Sequence, residues 1–184
     1  MKSMLRYPCM ALILTCVSCA EQKPRSLEEI RAEQQNLPTL YLTKTGERVV
    51  APGSKGVVVC DETKEIALPA YQCNNPDCPG RSEDGEPVLF SIPDPRFYVT
   101  VEGEVGEHSF DSPEVMNFSG SYELECPKCL ASRNKSAETP EQSQQYLRWC
   151  QPYELPESAK RREELEEEHK ARVDYINRRI GETD

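Results

Sequence analysis

Cys73-Asn74-Asn75-Pro76-Asp77-Cys78-Pro79-Gly80 and Cys126-Pro127-Lys128-Cys129 are the two stretches on which the reading of this 184-residue chain turns. Zinc held by four thiolates needs two short loops, each turning tightly enough to aim two sulfurs at one point ~2.3 Å away. Both stretches are built to turn. In the first, Asn tolerates left-handed backbone, Pro fixes φ and Gly80 admits a sharp exit. In the second, Pro127 directly follows the first cysteine. A strand-like run leads into each, Ala67-Leu68-Pro69-Ala70-Tyr71-Gln72 into the first and Ser121-Tyr122-Glu123-Leu124-Glu125 into the second. Each cysteine pair is therefore expected at the end of a β-strand.

At these residues the chain resembles the zinc-ribbon class, in which two knuckles from separate β-hairpins grip one structural zinc. The resemblance covers about residues 67–134 and implies that Cys73, Cys78, Cys126 and Cys129 are the ligands of one Zn2+. The chain departs from the pattern in two places. Cys78 and Cys126 are separated by 47 residues, against the ~15–20 usual between zinc pairs, so strands must be inserted between the knuckles. Leu130 stands where a ribbon knuckle usually has Gly. Two other readings of the same cysteines stay open. In an oxidising compartment thiols pair as disulfides unless metal holds them first. Cys126-Pro127-Lys128-Cys129 also has the spacing of a redox dithiol, but such motifs open a helix after a strand of a parallel sheet, where the dipole lowers the thiol pKa. Nothing in the neighbouring sequence reads as that unit.

At the N-terminus Lys2 and Arg6 precede the apolar run Met10-Ala11-Leu12-Ile13-Leu14-Thr15-Cys16-Val17, which ends in Ser18 before Cys19. This is the layout of a signal peptide, and it is shorter than the ~20 apolar residues that span a bilayer. Val17-Ser18-Cys19 resembles the lipobox of bacterial lipoproteins, with Cys16 where Leu is usual. The resemblance implies lipidation of the Cys19 thiol, cleavage before it and, since Ala20 rather than Asp follows, retention at the outer rather than the inner membrane. Plain secretion into the periplasm or beyond, with cleavage near Ala20, is the alternative. Of nine cysteines, Cys9 and Cys16 then leave with the leader, Cys19 carries lipid and four are candidate ligands, which leaves Cys60 and Cys150. An even remainder in an exported chain points to a Cys60–Cys150 disulfide, worth ~4–5 kcal/mol in theory for so long a loop; two separate buried thiols are the other possibility.

With 32 acidic against 22 basic residues the chain carries a net charge of −10. Nucleic-acid binding requires a basic stripe to displace counterions, and this chain has none. The same charge argues against attraction to anionic headgroups, so any membrane attachment must come through the lipid.

Removing residues 1–18 leaves chain for one ordinary domain. Residues 19–38 read as a tether with a short helix, opened by the capping box Ser26-Leu27-Glu28-Glu29 and ended by Pro38. Residues 39–153 carry the β signals: runs at 41–43, 48–50, 56–60, 65–68, 88–92 and 97–101. Thr45-Gly46, Pro52-Gly53 and Asp61-Glu62-Thr63-Lys64 are the hairpin punctuation. A helix at 140–149, capped by Thr139 and Gln142, should pack on the sheet through Tyr146, Leu147 and Trp149. Residues 154–184 hold a long charged helix from about Glu157 to Ile180, stopped by Gly181. Its apolar stripe of Leu165, His169, Val173, Ile176 and Ile180 is thin, a seam for a protein partner or for the domain's own flank. The expected fold is thus mainly β with C-terminal helices, a small antiparallel sheet with two knuckles.

No constellation identifies a reaction. The acidic loop from Glu102 through His108 to Asp111 and Glu114 matches no calcium pattern and reads as a solvated hairpin tip, and His169 falls within the helical stripe. Four thiolates leave no open position for catalysis at zinc. The sequence therefore points to a lipid-anchored envelope protein of structural or interaction role, to which it assigns no reaction. The competing class is a thiol-redox or metal-handling envelope protein acting through the paired cysteines.

Overall fold

The computed structural model describes residues 25–117, 124–133 and 139–181. The expected signal segment, Cys19 and the first part of the expected strand at 121–125 lie outside these residues. Helix α1 (Leu27–Gln35) begins where the capping box places it: the Ser26 hydroxyl accepts from the Glu29 N–H, and the Glu29 carboxylate accepts from the Ser26 N–H at 2.7 Å. Two orphan donors of the first turn are satisfied reciprocally. The helix ends at Asn36, two residues before Pro38.

A four-stranded antiparallel sheet follows, built from β1 (Pro38–Thr43), β2 (Arg48–Pro52), β3 (Val58–Val59) and β4 (Ile66–Pro69) in the order β2-β1-β4-β3. Thr45-Gly46 turns the β1–β2 hairpin, with Gly46 at φ 92°, a conformation that costs a side chain dearly. Residues 61–64 close the β3–β4 hairpin, as expected. Pro52-Gly53 does something else: it starts a 3-10 turn (Gly53–Lys55) that carries the chain from one edge of the sheet to the other. Gly53 is required there by closeness, since a Cβ would lie 2.9 Å from the Thr39 hydroxyl. Tyr41, fully buried on the central strand, donates to the Pro52 carbonyl at 3.0 Å and so ties this crossing to the sheet.

The remaining strands are short. β5 (Tyr71–Cys73) sits between β6 (Val88–Phe90) and β9 (Cys150–Pro152), and β7 (Phe97–Val99) pairs with β8 (Val105–Glu107) as the hairpin whose tip holds the acidic loop. Between them lie α2 (Pro113–Met116), α3 (Pro127–Ser132) and α4 (Pro140–Trp149). The Thr139/Gln142 capping box of α4 is present. Tyr146 packs into the core, while Leu147 is exposed instead of buried, because only one face of so short a helix meets the sheet.

Helix α5 (Pro156–Gly181) makes helix outweigh strand by residue count, a correction to the mainly β expectation. Its first half belongs to the fold. Leu165 is fully buried against Ile30 and Leu37, the Ser158 hydroxyl donates to the Pro38 carbonyl at 2.6 Å, and Arg161 bridges to Glu33 at 2.7 Å. Arg25 joins both Glu33 and Glu168, so α1 lies antiparallel to this half. Beyond Glu168 the seam thins, and Ile180 is exposed. Among the described residues no helix is long and apolar enough to cross a membrane.

Leu165→Ala should therefore lower the unfolding free energy by about 2–4 kcal/mol, the range for a buried leucine whose cavity cannot fully collapse. Ile180→Ala should change it by less than about 0.5 kcal/mol. Urea denaturation of the two variants measures both; equal effects would mean that the distal half of α5 is docked as firmly as the proximal half.

Candidate metal centre

Cys73, Cys78, Cys126 and Cys129 are brought together. Their sulfurs all lie within 4.8 Å of one another, and all four residues are buried, between 1% and 5% exposed. The contacts run between the pairs: Cys73 Sγ is 3.6 Å from Cys129 Sγ, and Cys78 Sγ is 3.8 Å from Cys126 Sγ. A tetrahedron with a metal–sulfur distance of ~2.3 Å has edges of ~3.8 Å; two of the sulfur–sulfur distances match that edge, and the cluster can hold a metal ion.

The two loops reach this point by different routes. Cys73 ends β5, and the following turn is set by Asn75, whose side-chain oxygen accepts from the Asp77 N–H at 3.0 Å while its own carbonyl accepts from the Cys78 N–H at 3.2 Å. Gly80, predicted to permit a sharp exit, is needed for proximity instead: its φ is not positive, and a Cβ there would lie 2.7 Å from Lys128 of the second loop. The second pair does not end a strand. Cys126 is the N-cap of α3 with Pro127 as its first residue, and Cys129 follows within that helix, one turn on. Pro at N1 needs no hydrogen-bond partner, so Cys126-Pro127 starts a helix as readily as a knuckle. This departs from the two-hairpin ribbon and explains how Leu130 replaces Gly: inside a helix no left-handed residue is required.

Three further contacts shape the centre and were not read from the sequence. The Asn75 amide, 4% exposed, donates from Nδ2 to Cys129 Sγ at 3.3 Å and so links the first loop to a sulfur of the second. A turn was legible in Asn74-Asn75-Pro76-Asp77, but the reach of the Asn75 side chain to Asp77 and across to Cys129 was not. Glu125, next to Cys126, forms a buried ion pair with Arg133 at 3.1 Å, and the Arg133 guanidinium lies 3.8 Å from the Tyr146 ring centroid. This clamps both ends of α3 against α4. Cys150 lies directly opposite Cys73 across β5 and β9; the 2.7 Å bond from the Asn74 N–H to the Trp149 carbonyl makes them a non-hydrogen-bonded pair, the closer kind.

Cys150 is nevertheless a free thiol, and so is Cys60. The expected Cys60–Cys150 disulfide is not formed, because the two belong to different parts of the fold. Cys60 sits at the turn between β3 and β4, its N–H donating to the Glu65 carbonyl, whereas Cys150 is packed in the core around the four sulfurs. Cys60's thiol is held below its ordinary range, chiefly by hydrogen bonding to the Thr63 side chain.

Burial dominates the electrostatics of the centre. It holds Cys73 well above the ordinary thiol range and pushes Cys129 up to about 11, against the Asn75 hydrogen bond. At Cys78 burial acts the same way but is outweighed by the Gly80 backbone and the neighbouring thiols, and the net direction is down. Four adjacent thiolates cannot coexist without a compensating cation; a divalent ion supplies that charge and displaces the remaining protons. The acidic hairpin does not join the centre. His108 stacks on Tyr98 and lies 3.9 Å from Glu114, and residues 102–105 are exposed. His169 is half-buried on α5, as the stripe predicted.

Two outcomes follow from these contacts. Asn75→Ala should weaken metal binding about 10- to 100-fold, the usual cost of losing an outer hydrogen bond to a ligand, measured by competition with a colorimetric chelator. The pH dependence has a definite sign. Because burial raises the Cys73 and Cys129 pKa values, the contribution of these two thiols to the metal-free fold is complete below the unfolded value of ~8.5 and begins to be lost as pH rises through about 11, the Cys129 value. Thermal melts should show the metal-free protein weakening over that window while the metal-loaded protein does not follow it, and metal affinity should fall as pH is lowered.

No family model matches the chain, and no curated protein or solved structure proves significantly similar to it.

Proposed function

We propose that this chain is a zinc-ribbon-like lipoprotein of the bacterial cell envelope, in which one structural Zn2+ bound by Cys73, Cys78, Cys126 and Cys129 braces a small domain of structural or interaction-mediating role. The observation that carries the metal half of this reading is the set of four buried sulfurs within 4.8 Å of one another. All-thiolate coordination suits zinc, and a closed set of four leaves no position for a substrate or a water. The zinc would join the end of β5 to the start of α3. The envelope half rests on Val17-Ser18-Cys19, which would carry the lipid on Cys19 and place the protein at the outer membrane. The distal seam of α5, with Val173 and Ile176 half-buried and Ile180 exposed, is the surface we assign to a protein partner.

The thiol-redox reading has one observation in its favour: Cys126 opens a helix, as reactive dithiols do. Burial works against it by holding Cys73 and Cys129 protonated, which suppresses nucleophilic attack.

Metal analysis and thiol titration of protein isolated natively from membranes separate the two. One zinc per chain, with the four cysteines silent to alkylation until zinc is chelated, supports the structural centre; two reactive thiols and no metal would establish the redox reading. Cys126→Ser should abolish stoichiometric zinc and loosen the β5–α3 junction, since zinc-binding free energies of order ~10 kcal/mol are folding free energy in small domains. Cys19→Ser should move the protein from the membrane to the soluble envelope fraction, and an unmodified N-terminus on membrane-free wild-type protein would overturn the anchor.

A further inference from the structure

A second site lies where the three sheets meet. A cavity of about 670 Å3 opens there, walled by Leu42 of β1, Ile66 and Leu68 of β4, Leu89 and Phe90 of β6 and Phe97 of β7. Its size falls within the range of small-molecule sites, and its walls are hydrocarbon from three separate elements, as such sites usually are. Phe90 also packs against the core around the four sulfurs, and Pro127 at the start of α3 reaches the cavity as well.

The polar groups lining the cavity are nearly all engaged. The Thr43 hydroxyl lies 2.9 Å from the Thr45 hydroxyl and accepts from the Glu47 N–H at 3.0 Å. The Asp94 carboxylate is gripped by Arg96, whose Nε donates to its two oxygens at 3.0 and 3.1 Å, and the pair is electrically neutral toward the cavity. That leaves the half-buried Ser91 hydroxyl and Lys44, an exposed residue of the β1–β2 turn that forms no ion pair among the described residues. In a chain of net charge −10 a free ammonium at the rim of an apolar cavity is a local reversal of sign.

From these walls and this rim we infer that the cavity binds a single-chain aliphatic carboxylate, a fatty acid whose hydrocarbon enters between β1, β4, β6 and β7 and whose carboxylate stays at the mouth beside Lys44. Walls that are hydrocarbon apart from the Ser91 hydroxyl favour a ligand whose body is a hydrocarbon tail. A single cation at the opening selects a monoanionic head over a neutral or cationic one. No residue lining the site is one of the four cysteines or belongs to the N-terminal segment, so its test is separate from those of the metal and the anchor.

The test is calorimetric titration of the full-length Cys19→Ser protein, which keeps detergent out of the sample, with octanoate, decanoate and dodecanoate and with decanol and decylamine. Expected is saturable 1:1 binding of the carboxylates, tightening by about fourfold for each methylene added. Lys44→Glu should weaken decanoate by about fivefold or more while leaving decanol unchanged. Leu68→Trp, which fills the cavity, should abolish binding of every chain, with circular dichroism showing the fold retained. Absence of saturable binding, equal affinity for decanoate, decanol and decylamine, or undiminished binding to a folded Leu68→Trp protein would each overturn the inference.

Discussion

Four sulfurs converging within 4.8 Å at the meeting of a strand end and a helix start form the constraint on which this fold depends. The strands around them are very short: β5, β6 and β9 have three residues each. Sheets of that size are marginal by themselves, and small cores without a staple rarely hold together. Apolar packing does not compensate here, because the core cluster of this region consists largely of the cysteines themselves, with Phe90 and the half-buried Tyr71, Val88, Ile92, Leu124 and Tyr146 around them. Whatever ties the sulfurs ties the region.

The polar contacts around the cluster are arranged to hold α3 in one place. Asn75 reaches from the first loop to a sulfur of the second, and the Glu125–Arg133 pair, almost wholly buried, rests its guanidinium on Tyr146. Such a pair contributes little net stability compared with apolar residues of the same shape, but it is costly to break and admits few other arrangements. The other half of the molecule is braced by conventional means, with Leu165, Ile30 and Leu37 in a small apolar cluster and Arg161 and Arg25 linking the two helices across Glu33 and Glu168. Exposed pairs of this kind are individually weak, and only a shared network gives them weight.

The local chemistry of the chain was legible wherever it was self-contained. Ser26-Leu27-Glu28-Glu29 and Thr139-Pro140-Glu141-Gln142 specified helix starts because a capping box needs only residues three apart. Thr45-Gly46 specified a hairpin because the turn requires a positive φ. The Cys73/Cys78 and Cys126/Cys129 pairs announced their common site because metal-ligand spacing is likewise short-range. Pro52-Gly53 misled because the same residues serve a hairpin and a crossing turn, and only the β2-β1-β4-β3 order tells them apart.

By itself, then, the sequence determined which cysteines could share a site, where the helices begin and how the charge is distributed, all of which follow from neighbours along the chain. The tertiary structure alone decided that Cys126 caps a helix instead of ending a strand, that Cys150 faces Cys73 and not Cys60, and that the first half of α5 is part of the core. It alone placed Leu42, Leu68, Phe90 and Phe97 around one cavity. These features depend on which elements lie side by side. That is settled by packing over long sequence separations, and no local pattern records it.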